Sequence, residues 1–423
     1  MNFPVEERSL SMARPRPSLS INGVLPHHLL LEVFGCLPLT DAFRCRSVCK
    51  LWLSCLRDDP YFIGQYILRR IREQPLNEED QGRTHVQCNV SEMLVLTPTW
   101  NLPPGFSFSL DFLPVYAGLD RDHKTLKQVV EGFSNGLLLC SPNVYSRRLY
   151  YICNPLTKQW LALPRSPRFD HPYFLVAFFC DPFYSQGDNG LITLNHRFRF
   201  KVVRLLNGWG IKEGEILVEM FSSQKGCWTT SKLILPESVL PEHYLRSVVP
   251  CNGKLYCLIE PCDTFVYDPD KNEFLQDCIP PPLNLTYIQN DLERTLEALT
   301  GFSLCRGSLW IGQCFPWHLR IFELVDGGWR MRHDVDVSEL DSCLRVKDML
   351  FPYSEPIVFR TMHPLDSMLA YFSVENVILE CDFRAKRLNL VSECEHEGNR
   401  RDCLNVSPVV LPLWPTPLPA LWA

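Results

Sequence analysis

The sequence predicts an α+β, multidomain chain: a small helical module at the front, then an all-β propeller domain of about six blades. Three observations carry that expectation. Residues 25–62 place apolar side chains three and four apart and are punctuated by prolines. From about residue 90 this periodicity gives way to short runs rich in Val, Leu, Phe and Tyr, separated by Gly, Pro, Asn and Asp. Those runs also repeat, with a period of roughly 50 residues.

The module opens on Leu25-Pro26, with Pro placed for a first helical turn. Leu29, Leu30, Val33, Phe34 and Leu37 give the first helix one apolar face. Pro38 ends it, because a residue before proline is pushed out of helical geometry. Thr40 and Asp41 start a second short helix. Val48, Leu51, Trp52, Cys55 and Leu56 make a third, which Asp59-Pro60 stops. So short a bundle cannot hide all this apolar surface, and leftover surface of that kind marks a docking module.

The residues Leu25-Pro26, Leu29, Val33, Leu37-Pro38, Arg44, Val48-Cys49-Lys50, Trp52, Asp59-Pro60 and Phe62 resemble the F-box. One departure is His27-His28, where that family usually carries an acidic residue. The resemblance implies docking on a Skp-family adaptor and, through it, on cullin and RING subunits. It implies adaptor contacts at Leu25, Pro26, Leu29, Val33, Pro38, Val48, Cys49 and Trp52. Leu37, Phe43 and Leu56 are better assigned to packing inside the bundle.

Residues 1–20 read as a flexible tail and 21–66 as the F-box. Residues 67–89 read as a linker helix that leaves the module, followed by an acidic linker, and 90–423 as the propeller. In the last part VVEGFSNGLLLC (129–140) and VVPCNGKLYC (248–257) both place Asn-Gly between apolar runs, a strong hairpin signal. FSLCRGSLWIG (302–312) is a weaker copy. YICNPLTKQW (151–160) and YDPDKNEF (267–274) each set a proline five positions before an aromatic, Trp160 or Phe274. GEILVEMFSSQKGCW and IFELVDGGW end likewise on Trp228 and Trp329. Those aromatics are expected to fill the wedge between blades. Blades are expected around 132–167, 171–237, 247–282, 299–337 and 351–391, with a sixth closed jointly by 90–112 and 404–411. FSNGLLLC, NPLTKQW and FSSQKGCW resemble the kelch-like, F-box-associated propeller of plant F-box proteins.

Composition bounds the rest. The chain has 423 residues, 46% hydrophobic and 21% charged, and a formal net charge of −6, which does not point to nucleic acid. Between residues 21 and 72, Arg44, Arg46, Lys50, Arg57, Arg69, Arg70 and Arg72 outnumber Glu32, Asp41, Asp58 and Asp59, which favours an acidic partner at this end. The 19 cysteines form no CxxC pair and read as core residues of a reducing compartment, nucleus or cytoplasm. No leader peptide or membrane span is expected: the longest apolar run is Phe174–Cys180, and Pro412, Pro415, Pro417 and Pro419 break the apolar tail.

Catalytic and metal motifs lack their required context. Gly132, Ser134 and Gly136 match GxSxG, but a strand pattern follows where a hydrolase needs a helix. Cys394, His396 and Cys403 fit no tetrahedral zinc spacing. His171 and His363, each before a proline, read as structural. No catalytic residue, metal, cofactor or membrane contact is assigned. The resemblance therefore implies a non-catalytic substrate receptor of an SCF-type ubiquitin ligase that holds an unidentified target protein. Two alternatives are a ligase-independent scaffold or transcription cofactor, and a propeller enzyme.

Overall fold

The computed structural model describes residues 25–73, 83–87, 93–98, 109–114, 129–142, 149–167, 174–206, 215–235, 245–259, 263–275, 279–280, 282, 301–315, 318–342, 357–374, 377–393 and 405–419. The chain divides into two compact units, Met1–Glu73 and Gln74–Ala423.

In the first unit α1 spans His27–Cys36, α2 Leu39–Cys45, α3 Lys50–Asp58 and α4 Pro60–Glu73. Pro26 sits one residue outside α1, and its carbonyl accepts the N–H groups of Leu29 and Leu30. Leu37 is extended, as Pro38 demands. The second helix starts one residue earlier than Thr40, because Pro38 takes the cap position with its φ already fixed. Asp59 both follows α3 and caps α4, its Oδ1 accepting from Tyr61 N at 2.9 Å and Phe62 N at 3.1 Å. The fourth helix does not leave the module. Its stripe of Phe62, Ile63, Tyr66 and Ile67 is buried, with Phe62 6.4 Å from the Phe34 ring and Tyr66 Oη donating to the Leu37 carbonyl at 3.2 Å. Four apolar side chains in two turns require that cover.

Among the described residues the second unit holds five blades rather than six. Each is an antiparallel meander: β3–β6 (Val129–Ser134, Leu137–Ser141, Tyr151–Asn154, Gln159–Ala162), then β7 with β10–β12 (Phe174–Cys180, Phe200–Leu206, Glu215–Ser222, Cys227–Ile234). The third is β13–β16 (Leu245–Cys251, Lys254–Ile259, Asp263–Asp268, Glu273–Phe274) and the fourth β17–β20 (Gly301–Cys305, Ser308–Phe315, His318–Val325, Gly328–Asp336). The fifth is β22–β25 (Val358–Met362, Leu369–Val374, Val377–Asp382, Arg387–Glu393), with β21 (Asp341–Ser342) parallel at its rim. A hairpin, β8 and β9 (Tyr184–Gln186, Ile192–Leu194), is inserted into blade two.

The place expected for a sixth blade is taken by three strands. β1 (Arg83–Gln87), which the sequence reading puts in the linker, pairs with β2 (Met93–Pro98), and β2 runs parallel to β26 (Asn405–Pro408). β26 touches β22 on one side and β3 on the other, which closes the ring of inner strands.

The repeated motifs have a backbone cause. Asn135-Gly136, Asn252-Gly253 and Arg306-Gly307 all have positive φ at both residues, the turn that matches strand twist. Asn154, Asp268 and Asp382 start the turn into each fourth strand, and each Oδ1 accepts two backbone N–H groups ahead of it. Second strands such as Leu137–Ser141 and Leu369–Val374 are buried throughout, because neighbouring blades cover both faces.

The aromatics divide. Trp228 does reach the neighbouring blade: its Nε1 donates to the Pro164 carbonyl at 2.8 Å and its ring lies 6.1 Å from Tyr150. Trp160, Phe274 and Trp329 instead pack on their own sheets, against Tyr151, Tyr267 and Phe302. All three sit on the outermost strands of their sheets. Trp100, Trp209 and Trp317 lie outside the described residues.

Candidate functional site

Apolar exposure concentrates in the helical unit. Of ten exposed large hydrophobic residues among those described, six belong to it: Leu25, Leu29, Val33, Val48, Leu51 and Tyr61. Leu29 and Val33 stand one turn apart on α1, while Leu30 and Phe34 beside them are buried. Val48 is 60% exposed in the connection to α3, and Leu51 opens that helix. Two contacts hold α1 against α3: His27 Nε2 lies 3.2 Å from Cys55 Sγ, and Phe34 meets Trp52.

Of the residues expected to touch an adaptor, Leu25, Pro26, Leu29, Val33, Pro38 and Val48 are exposed. Cys49 and Trp52 are half-buried, and Trp52 contributes to the bundle's own packing. Leu51, which the sequence places on the third helix without assigning it to the contact set, is exposed as well; the surplus of apolar area over a small helical core is the signal for it. Leu56 is fully buried, as expected. Some of the basic surplus is structural. Arg46 donates to the Leu56 carbonyl at 3.0 Å and covers the Phe43 ring, and Arg70 donates to the Leu37 carbonyl at 2.6 Å.

In the second unit, the Gly132–Gly136 motif is a hairpin. β4 follows it, and Ser134 Oγ accepts from Cys180 N at 3.0 Å, tying blade one to blade two. His363 Nδ1 accepts from Leu365 N and Asp366 N and so shapes a turn. Burial pushes the thiols of Cys180, Cys305 and Cys381 up to about 12, which keeps them protonated at neutral pH. No disulfide joins the described cysteines. No cluster of three metal-ligating side chains occurs among the described residues; His171, Cys394, His396 and Cys403 lie outside them. No described helix is long and apolar enough to cross a membrane.

Between the blades lies a cavity of about 1030 Å³, lined by the first strand of all five. Those strands touch in order, β3 to β7, β7 to β13, β13 to β17 and β17 to β22.

Two family models match this chain. One, described as F-box protein At3g26010-like, β-propeller, covers residues 97–411. The other, the F-box domain, covers residues 24–63. The chain is 27% identical to F-box protein At5g49610 of Arabidopsis thaliana over 56% of its own length and 59% of that protein's. It is 26% identical to F-box protein At1g49990 of the same plant over 53% of its own length and 54% of that protein's. It thus spans somewhat over half the length of these two relatives. A solved structure, the Myceliophteria thermophila Cps50 (Swd1) β-propeller domain, aligns at a TM-score of 0.35 and 11% identity over 65% of this chain and 74% of its own. A likeness that low carries no argument.

Proposed function

The chain belongs to the F-box protein At3g26010-like β-propeller family, with an F-box domain ahead of the propeller, and on that footing we propose that it is the substrate receptor of an SCF-type ubiquitin ligase. Its helical unit docks on a Skp-family adaptor, which connects to cullin and RING subunits. Its propeller holds a target protein, and the ligase gains rate by keeping a target lysine near a ubiquitin-charged enzyme. The chain itself performs no bond chemistry in this reading, and it works in the cytoplasm or nucleus.

The observation that carries the reading is the exposed apolar set Leu25, Leu29, Val33, Val48 and Leu51 on a unit whose own core is already filled by Leu30, Phe34, Leu56, Phe62 and Ile67. Apolar surface left outside a complete core is what a permanent partner covers. The test is capture of a purified Skp-family adaptor by the full chain. Wild type should retain the adaptor, and Leu25→Ala with Pro26→Ala should lose it while the β-rich melt stays unchanged. Adaptor retained by the double variant would overturn the assignment of this surface.

A further inference from the structure

The cavity between the blades has a chemistry that adaptor docking does not use. β3, β7, β13, β17 and β22 are each the terminal strand of their sheet. Among the described residues each therefore has an edge that no further strand pairs, although side chains of the neighbouring blade take some of its groups, as at Cys180 and Met362. Side chains then set the sign of the charge. Arg199, Lys201, Arg306 and Arg360 line the cavity against Glu131, Asp181 and Asp270. The acids are engaged: Asp270 pairs with Lys201, Asp181 Oδ2 accepts the Arg199 backbone N–H at 3.0 Å, and Glu131 accepts from the Ser141 hydroxyl at 2.7 Å. The Arg199 guanidinium is exposed and meets no acid or hydrogen-bond acceptor among the described residues.

Arg199 also stands where the repeat is broken. Blades one, three and four join their first two strands through two-residue turns, but blade two inserts β8 and β9 between β7 and β10. The base of that insertion is braced. Asp181 N donates to the Arg199 carbonyl at 2.8 Å, and Phe183 packs on His196 and Phe198. A cation thus stands on a rigid support at the wall of a concave space, where surrounding protein focuses its field.

We propose that this cavity binds a small organic anion, with a carboxylate, sulfonate or phosphate held at Arg199 and its body against the strand edges. The volume of about 1030 Å³ lies at the upper end of the range for small-molecule sites. The site needs neither an adaptor nor a target protein, so it stands or falls separately from the ligase reading.

The test titrates the full chain into 8-hydroxypyrene-1,3,6-trisulfonate, a flat aromatic anion, and follows fluorescence anisotropy. Saturable binding to one site is expected. Arg199→Glu should weaken it roughly fivefold or more, and Arg199→Lys should restore most of it, since the effect is one of charge. Lys232→Glu, an exposed cation on the outermost strand of the same blade, should leave affinity unchanged. Absence of saturable binding, or equal weakening by Arg199→Glu and Lys232→Glu, would overturn the proposal. So would binding indifferent to Arg199→Glu.

Discussion

The Trp52 ring stands edge-on to the Phe34 ring, with centroids 4.9 Å apart and planes at 73°. Phe34 is buried, so Trp52 packs the bundle even though one side of it remains exposed. Trp52→Ala is expected to lower the stability of the helical unit by about 2–3 kcal/mol, less than full burial of such a ring would give. A helical melt on the full chain, run beside adaptor capture, measures this. Lost capture with an unchanged melt would make Trp52 an interface anchor alone.

Val33 and Val48 separate docking from folding more cleanly, because both are exposed and neither lies in the buried set. Val33→Glu and Val48→Glu should each weaken adaptor binding about tenfold or more, the effect of placing a charge in an apolar contact. The melt should move by no more than about 0.5 kcal/mol, as for other exposed substitutions. Surface plasmon resonance against immobilised adaptor gives the first number and denaturant unfolding the second.

Much of the fold was legible because local chemistry decided it. Asn135-Gly136 and Asn252-Gly253 announced hairpins, since few other residues accept positive φ twice in succession. The prolines at 26, 38 and 60 set the helix boundaries to within a residue or two. The joining of residues 90–112 with 404–411 was expected too, and β2 pairs with β26 there. What escaped was which side chains meet inside the blades. Arg204 and Glu219 lie within otherwise apolar strands, and only the register of β10 with β11 makes them partners. Leu51 was not singled out as a contact because periodicity tells which residues share a face but not whether a small core has room for them.

Arg204 and Glu219 are both fully buried, 2.5 Å apart, with Ser166 donating to the same carboxylate oxygen at 2.7 Å. The guanidinium also lies 4.3 Å from the centre of the Phe174 ring. Arg204→Met removes the cation while Glu219 stays in the interior, which should cost about 3–5 kcal/mol. Arg204→Met combined with Glu219→Leu should recover at least half of that, because an apolar pair of similar volume needs no charge balance. Urea midpoints of the single and double variants decide the matter.

Gly136 has a φ of +85°, and a Cβ there would come within 2.6 Å of Pro412. The segment carrying Pro412 is fixed to the same turn. Thr416 Oγ1 donates to the Asn135 carbonyl at 2.6 Å, and Asn154 Nδ2 donates to the Thr416 carbonyl at 2.6 Å. Gly136→Ala combines backbone strain with displacement of a buried chain, for an expected loss of about 2–4 kcal/mol. Thr416→Val removes one hydrogen bond and should cost about 1 kcal/mol. The two variants should also differ in proteolysis after residue 408, which Gly136→Ala accelerates far more.

His333 lies flat on Phe383, ring centres 4.2 Å apart and planes at 4°, with Nε2 2.9 Å from the Ser367 carbonyl. Burial holds its pKa below the ordinary 6.5, outweighing the Ser367 hydrogen bond that favours the charged form. The unfolded chain therefore takes up the proton at a higher pH than the folded one. The stability this group contributes is complete above 6.5 and is lost as pH falls from 6.5 through the depressed folded value. His333→Phe keeps a ring on Phe383 and removes the titration, at a cost of about 1 kcal/mol for the hydrogen bond at neutral pH. Urea midpoints at about pH 7.5 and about pH 5.5 should then fall less in the variant than in the wild type. Equal falls would assign the acid sensitivity in this window to groups other than His333; Asp268 is not among them, because the Lys254 ammonium holds its carboxyl below the usual range and its contribution is lost only in more acidic solution.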